Sequence, residues 1–348
     1  MKKKKIKISW AAAAVCFLLL LFGVTLYSLA AFRESIQLAS HQDFAQAESY
    51  GAYYALISEN DDTLLWNSIY RGAKKEGMEN GGAHVEFFGG RLSLEPTVQE
   101  KLRMAVDAGV DGIILNWDGD AGTEELVQEA AKEGIPVVTV LDDGATDVRQ
   151  CFVGVNSYHL GQEYAGRIWK LLQDMEENCQ IQVLLNSGDT DPGKNTLFLG
   201  LRDTLEELAG KEGKERELRL DTIAVDRNDA FQAEEAIRRL MVEDPEEQKI
   251  LVCLSEADTR RAYEAVIDHN RVGEVRILGY YESRQVLEGI EKDIIDSTIT
   301  VDGEQVGRLC VQALTEYRNN GHVNAYLPVD VYLIDQSNVS DYLEQYEE

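Results

Sequence analysis

Apolar residues fall along this chain in two kinds of run. Short blocks such as AYYALIS (52–58), VDGIILN (110–116) and IPVVTVLD (135–142) are nearly continuous. The segments LLWNSIYRGAKKEGMENG (64–81) and TVQEKLRMAVDAG (97–109) instead repeat their apolar positions at helical spacing and stop at glycine. The first pattern predicts strands buried on both faces, the second amphipathic helices. Further strands are predicted at 83–89 and 151–156, with helices at 122–134 and 157–175. The alternation then restarts with strands at 181–187, 218–226, 249–255 and 275–281, interleaved with helices that include 230–244 and 258–270. Such alternation predicts βαβ units and parallel sheets, and two successive series predict two α/β lobes. Open parallel sheets bind ligands beyond the carboxyl ends of their strands, so the residues there are the ones to weigh.

The start of the chain follows another pattern. Lys2, Lys3, Lys4, Lys5 and Lys7 precede an uncharged apolar run, Ile8 to Phe32. About 20 apolar residues suffice for a membrane-spanning helix, and a lysine cluster stays on the cytoplasmic side. Residues 1–32 are therefore expected to be a membrane anchor, with the binding domain outside the cell membrane. The rival reading is a cleaved signal, for which Ser28-Leu29-Ala30 offers a small-x-small site. Residues 33–50 contain neither proline nor glycine and are expected to form a stalk or linker.

Charge and cysteine content then exclude several classes. The first 32 residues hold five of the 34 Lys+Arg and none of the 62 Asp+Glu, which leaves 29 − 62 = −33 for residues 33–348. Such a body repels phosphate backbones, so no nucleic acid partner is expected. Cys151, Cys179, Cys253 and Cys310 are far apart, and His41, His84, His159, His269 and His322 are isolated. Neither a disulfide framework nor a zinc site follows from such spacing. The D-x-D stretches WDGDAGTEE and GDTDPGKN lack the twelve-residue calcium loop and are expected to be polar turns, so neither metal nor cofactor is implied.

Six phrases, in order, carry a resemblance. DTLLWNSIYRGAKKEG resembles "NPFFxxxxxGAxxEA", AVDAGVDGIILN resembles "xxxxGVDGIIxxP", and AAKEGIPVVTVLDD resembles "AxxxGIPVVxxD". FVGVNSYHLGQEYA, VRILGYY and ITVDGEQVG resemble "xVxxDNxxxGxxxA", "VxVVGFD" and "IxQxPxxxG". These are phrases of the type I periplasmic sugar-binding proteins of ABC transporters, which share their core with LacI-type regulators. The resemblance spans about residues 52–335. It implies two Rossmann-like α/β lobes with parallel sheets, joined by three crossover hinge strands. The first lobe would take 52–155 and 302–330, the second 156–301 and 331–348, and a ligand would be trapped by hinge closure.

Carried onto this chain, the resemblance places Asp62, Thr63, Leu65 and Trp66 behind the first strand, with Trp66 as the stacking aromatic. It places Asn116 and Asp118 after the third strand, Asp142 and Asp143 after the fourth, and Asn156 at the first crossover. In the second lobe it points to Asn195, Glu256, Tyr280, Tyr281 and Asp302, with Ser255 beside Glu256. Trp66 in a helix core and paired aspartates capping a turn are the plain structural alternatives. The usual arginines are absent and carboxylates are kept or added, which favours polyols or a cation over anionic sugars. The implied function is capture of a small molecule, most simply a monosaccharide, for an ABC permease, or sensing of it for a membrane histidine kinase. An enzyme, such as a cell-wall glycosidase, is not expected: GxSxG, a Cys/His pairing and a P-loop are all absent.

Overall fold

A computed structural model describes residues 50–59, 63–88, 96–144, 147–175, 179–186, 192–212, 219–225, 230–243 and 247–346. The expected anchor and nearly all of the expected stalk lie outside the described residues, as do Asp62 and the Asp189 and Asp191 of the second D-x-D stretch. Among the described residues, no helix is long and apolar enough to cross a membrane.

From Ala52 the chain forms one compact unit built on two six-stranded sheets. The strands of the first sheet are β1 (Ala52–Ile57), β2 (Ala83–Phe87), β3 (Gly112–Leu115), β4 (Val137–Val140), β5 (Cys151–Val155) and β11 (Tyr326–Val329). Those of the second are β6 (Gln180–Asn186), β7 (Arg219–Val225), β8 (Lys249–Cys253), β9 (Val275–Tyr280), β10 (Ile295–Val301) and β12 (Val331–Asp335). Their orders are β11-β5-β4-β3-β1-β2 and β12-β10-β9-β8-β6-β7, which are the same order written in two sets of strands. Every pairing is parallel except β10 with β12. The chain changes sheet after β5, after β10 and between β11 and β12.

The helices are α1 (Leu64–Glu76), α2 (Val98–Ala108), α3 (Ala121–Lys132), α4 (Ser157–Asp174), α5 (Pro192–Glu212), α6 (Ala230–Val242), α7 (Glu256–Asp268), α8 (Arg284–Glu291), α9 (Gly303–Asn320) and the short α10 (Val339–Glu344). The glycine stop expected after α1 arrives as a wider π-turn over Gly77–Gly81, closed by Gly82 in left-handed geometry. Capping chemistry sets most of the other starts. Thr97 and Glu100 form a reciprocal capping box on α2, and Ser255 and Ser283 accept from backbone amides of α7 and α8.

In each half two helices approach closely enough to require glycine. A Cβ on Gly307 of α9 would lie 1.9 Å from the Ile69 carbonyl of α1, and one on Gly72 of α1 would lie 2.1 Å from the Glu304 carbonyl. Gly161 of α4 and Gly200 of α5 repeat the device, at 2.1 Å from Leu197 O and 2.3 Å from Tyr158 O. The apolar core runs through Tyr54, Ile69 and Val138 to Ile250, Leu278 and Ile299, joined at the crossovers by Val155, Val301 and Val329.

Candidate functional site

The strands β4 and β9 hold the same place in their sheets and end in the same unusual way. Leu141, the residue after β4, has φ 64°, and Tyr281, the residue after β9, has φ 61°. Left-handed backbone costs an ordinary L-residue roughly 1–2 kcal/mol, so it persists only where surrounding bonds impose it. Here the imposing bonds match: Leu141 N donates to Val153 O at 2.9 Å and Tyr281 N to Ile299 O at 2.7 Å. Both predicted strands therefore end one or two residues early, because the reversed φ breaks the pleat. Each turn then presents one carboxylate, Asp142 in one half and Glu282 in the other.

Asp142 is half-buried and accepts from the Asn116 amide at 3.2 Å through Oδ2, while Oδ1 has no bond among the described residues. Asn116 also donates to Val140 O, so it ties the ends of β3 and β4 together. Asp143 is spoken for. Arg149 grips it with two bonds, Nε to Oδ1 at 2.5 Å and Nη2 to Oδ2 at 2.7 Å, and Thr139 donates to it as well. Trp117 lies over the same turn, since a Cβ on Gly144 would fall 2.1 Å from its ring. Asp118 is exposed and accepts from the Asp120 amide and the Thr123 hydroxyl, fixing the start of α3.

Across from Asp142 stands Tyr281. Its ring lies against that of Tyr280, tilted by 31° with centroids 4.0 Å apart, and its hydroxyl is buried with no partner of hydrogen-bonding geometry among the described residues. Burial, then the neighbouring Tyr280 and then Asp142 push its ionisation well above the ordinary phenol range, with a weak bond to the Tyr280 hydroxyl and then Glu282 adding to the effect. The two turns thus act electrostatically on one buried hydroxyl. Glu282 accepts from the Thr300 hydroxyl of β10, and burial holds its carboxyl above the usual range despite that bond.

The remaining expected positions are arranged as follows. Leu65 and Trp66 are 4% and 7% exposed and belong to the apolar core, which is the plain alternative weighed for Trp66. Thr63 caps α1 by accepting from Trp66 N. Asn156 and Asp302 cap α4 and α9, each accepting from the amide three residues on, at the two strand-to-helix crossovers. Glu256 opens α7, 4.0 Å from Arg260. Asn195 falls in α5, but its side chain, like Asp62, lies outside the described residues. The structure therefore brings Asn116, Asp142, Tyr280 and Tyr281 together and uses Asp118, Asp143, Asn156 and Asp302 in local bonding. Glu282 and Trp117 were missed. The equivalence of Glu282 with Asp142 shows only once the two sheets are matched, although Trp117 had a visible signal in its place directly after β3.

Among the described residues no cluster of three or more His, Cys, Asp or Glu is arranged to hold a metal ion. The four described cysteines are buried free thiols, and burial raises Cys151 to about 11.

A search of curated proteins found no match. Many solved structures share the fold. The glucose-galactose binding protein GanP of Geobacillus stearothermophilus is 21% identical with TM-score 0.68, over 83% of this chain and 98% of that one. The sugar-binding protein of a sugar ABC transporter of Bacillus halodurans is 19% identical with TM-score 0.66, over 83% and 99%. XylFII in the XylFII-LytSN complex is 23% identical with TM-score 0.61, over 82% and 98%. The model of the periplasmic binding protein domain matches residues 54–321, and with two equivalent sheets meeting at three crossovers, the chain belongs to that family.

Proposed function

We propose that this protein is an extracytoplasmic solute-binding protein that captures a monosaccharide between its two lobes and delivers it to an ABC importer. The observation that carries the reading is that Asp142, whose Oδ1 has no bond among the described residues, acts on the buried hydroxyl of Tyr281 from the opposite sheet, which beside Tyr280 meets no group of hydrogen-bonding geometry among the described residues. A buried hydroxyl without a partner costs about 1–3 kcal/mol, and a ligand hydroxyl bridging the two groups would remove that cost. The tilted Tyr280–Tyr281 pair supplies an apolar face for the C–H side of a sugar ring. Glucose, galactose and sugar recognition by proteins of this fold supports the same reading. Binding and release fill the role, and no catalysis is assigned. Residues 8–32 would hold the domain outside the membrane with the N-terminus in the cytoplasm.

A second reading rests on the solved XylFII-LytSN complex, in which a protein of this fold is joined to a partner. A tethered binding domain reporting occupancy to a membrane histidine kinase would need the same binding site. The test is a thermal-shift and calorimetric screen of the purified protein against neutral monosaccharides. We expect at least one to raise the melting temperature, with Asp142→Ala abolishing the response. A ligand at one hundred times its Kd adds about 2.7 kcal/mol of stability. Silence across the panel, or turnover of a chromogenic glycoside, would overturn the reading. Pull-down with a neighbouring permease or a neighbouring kinase would decide between delivery and sensing.

A further inference from the structure

Resting on the sugar-binding reading, we propose that Arg149 is a positioning residue of the sugar site: acting through Asp143, it fixes the turn that presents Asp142. That turn needs a hold from outside. Asp142 N donates to Val140 O at 2.8 Å, which closes a three-residue γ-turn around Leu141, a rare and strained form when φ is positive. Such a turn keeps its shape only where its surroundings over-determine it. The matching turn shows how this is done and what the first lobe lacks. Leu141 N donates to Val153 O and Tyr281 N to Ile299 O, so Val153 of β5 and Ile299 of β10 hold the same register position. On either side of Ile299 stand Thr298, which donates to Tyr281 O at 2.7 Å, and Thr300, which donates to the Glu282 carboxylate. On either side of Val153 stand Phe152 and Gly154, which have no hydroxyl to give.

Arg149, just before β5, takes over that work. Its guanidinium lies over the Phe152 ring, 5.8 Å from the centroid, and donates through Nη1 to Ala325 O at 2.8 Å, just before β11. Anchored there, it holds both oxygens of Asp143, at 2.5 and 2.7 Å. A bidentate guanidinium–carboxylate pair fixes orientation as well as distance. It turns Asp143 onto β4, where Thr139 also donates to it at 2.9 Å, and leaves Asp142 as the acid of this turn with an oxygen unbonded among the described residues. It also offsets a charge that would otherwise stand uncompensated next to Asp142. The turn is therefore set before a sugar arrives, and ordering one side chain in advance is worth roughly two- to twelve-fold in affinity. A lysine offers a point charge in place of the planar fork and cannot grip both oxygens in this way.

The test uses the full chain purified in detergent, with D-glucose, D-galactose, D-xylose and L-arabinose as calorimetric probes. We expect Arg149→Lys and Asp143→Asn each to weaken the sugar that binds by about five-fold or more. Arg167→Lys makes the same exchange at the ion pairs with Asp296 and Asp335, and should lower the melting temperature while leaving affinity within about two-fold. In an Asp142→Asn background, Arg149→Lys should change affinity by less than about two-fold, because its effect passes through Asp142. Trp117, whose ring lies over Gly144 of the turn, gives a readout without sugar. Its fluorine resonance in fluorotryptophan-labelled protein, assigned with Trp117→Phe, should move in Arg149→Lys and stay in place in Arg167→Lys. Unchanged affinity in both turn variants, an unmoved Trp117 resonance, or an equal loss of affinity from Arg167→Lys would overturn this inference and leave the sugar-binding reading standing. No binding of any probe would overturn both.

Discussion

The two lobes are copies in scaffold and differ in the residues they set at the scaffold's ends. Strand order, the glycine-packed helix pair and the helix capped at the crossover recur in both, with α1 and α9 in one matched by α5 and α4 in the other. Asn156 and Asp302 even accept from the amide at the same offset. At the equivalent turns, however, one lobe offers Leu141-Asp142 and the other Tyr281-Glu282, and among the described residues the second lobe alone carries the extra helix α10. Repetition fixes where a group stands, and the unmatched side chains decide what chemistry it does there. The comparison also shows where each lobe spends its arginine: Arg149 serves a turn in the first, and Arg167 joins α4 to β10 and β12 in the second.

That contrast sets the largest expected effect. Removing one partner of a buried ion pair costs about 3–5 kcal/mol, because the remaining charge stays buried. Arg167→Ala takes the cation from two aspartates, Asp296 and Asp335, and should fall in that range, whereas Arg149→Ala takes it from Asp143 alone and should cost less, since hydroxyl donors from Ser297, Ser337 and Thr139 remain in both variants. Urea unfolding of both variants checks the order, and equal losses would break the distinction. The next effect tests the likeness of the lobes. Gly307→Ala and Gly161→Ala drive a methyl into a partner-helix carbonyl at 1.9 and 2.1 Å, and overpacking of this kind typically costs about 1–3 kcal/mol. We expect the two losses to agree within about 1 kcal/mol, as matched crossings should. A loss in one lobe only would show that the helix pairs are not equivalent in energy.

Much of this scaffold was readable beforehand. Blocks such as ILVC (250–253) and GIIL (112–115) are apolar throughout because parallel strands are covered on both faces, and that pattern is legible without any tertiary information. The crossovers were readable too, since the phrases around Asn156 and Asp302 carry a cap followed by a glycine at fixed spacing. The strained turns were not. Nothing in IPVVTVLDD or VRILGYYES signals that Leu141 and Tyr281 turn left-handed, because glycine and asparagine are the residues that announce such geometry. The site suffered accordingly. Trp66 has the composition of a stacking residue and lies in the core, and Asp143 has that of a ligand contact and is bound by Arg149. Which of two adjacent acids is free depends on a partner six residues away, and local pattern does not encode that choice.

A smaller effect separates the empty protein from the loaded one. Tyr281→Phe removes a buried hydroxyl that, beside Tyr280, has no partner of hydrogen-bonding geometry among the described residues, so the unliganded protein should become more stable, by about 1 kcal/mol. The same variant should bind its sugar more weakly, because the group that meets the ligand is gone. Melting temperature and calorimetry on one preparation check both signs. Loss of stability without ligand would mean that the hydroxyl has a bond in solution, and the argument for a ligand partner would fail. Leu141, at the matching turn, has no polar group to lose and serves as the control position.

The smallest effect distinguishes the two turns by their acids. Burial raises the Glu282 carboxyl above its ordinary value of 4.5, so the folded state holds this proton more tightly than the unfolded chain does. The stability linked to that proton is complete below about 4.5 and is lost as pH rises through the folded value. Asp335 runs the other way: bonds from Ser337 hold it below its ordinary 3.8, so its contribution is present above 3.8 and disappears as pH falls through the lowered value. Glu282 faces Thr300 on β10, Tyr281 on its own turn, and Tyr342 and Tyr346 at the C-terminal end, with Asp302 and Glu256 acting on those tyrosines and Arg284 on Tyr346. Its partners are uncharged while those tyrosines keep their protons, so no neighbouring cation offsets the burial. Glu282→Gln should therefore flatten the fall in stability above pH 4.5 and leave the acid limb, where Asp335 acts, unchanged. Urea midpoints across that range provide the measurement, and a fall that persists in the variant would assign the lost proton to another group.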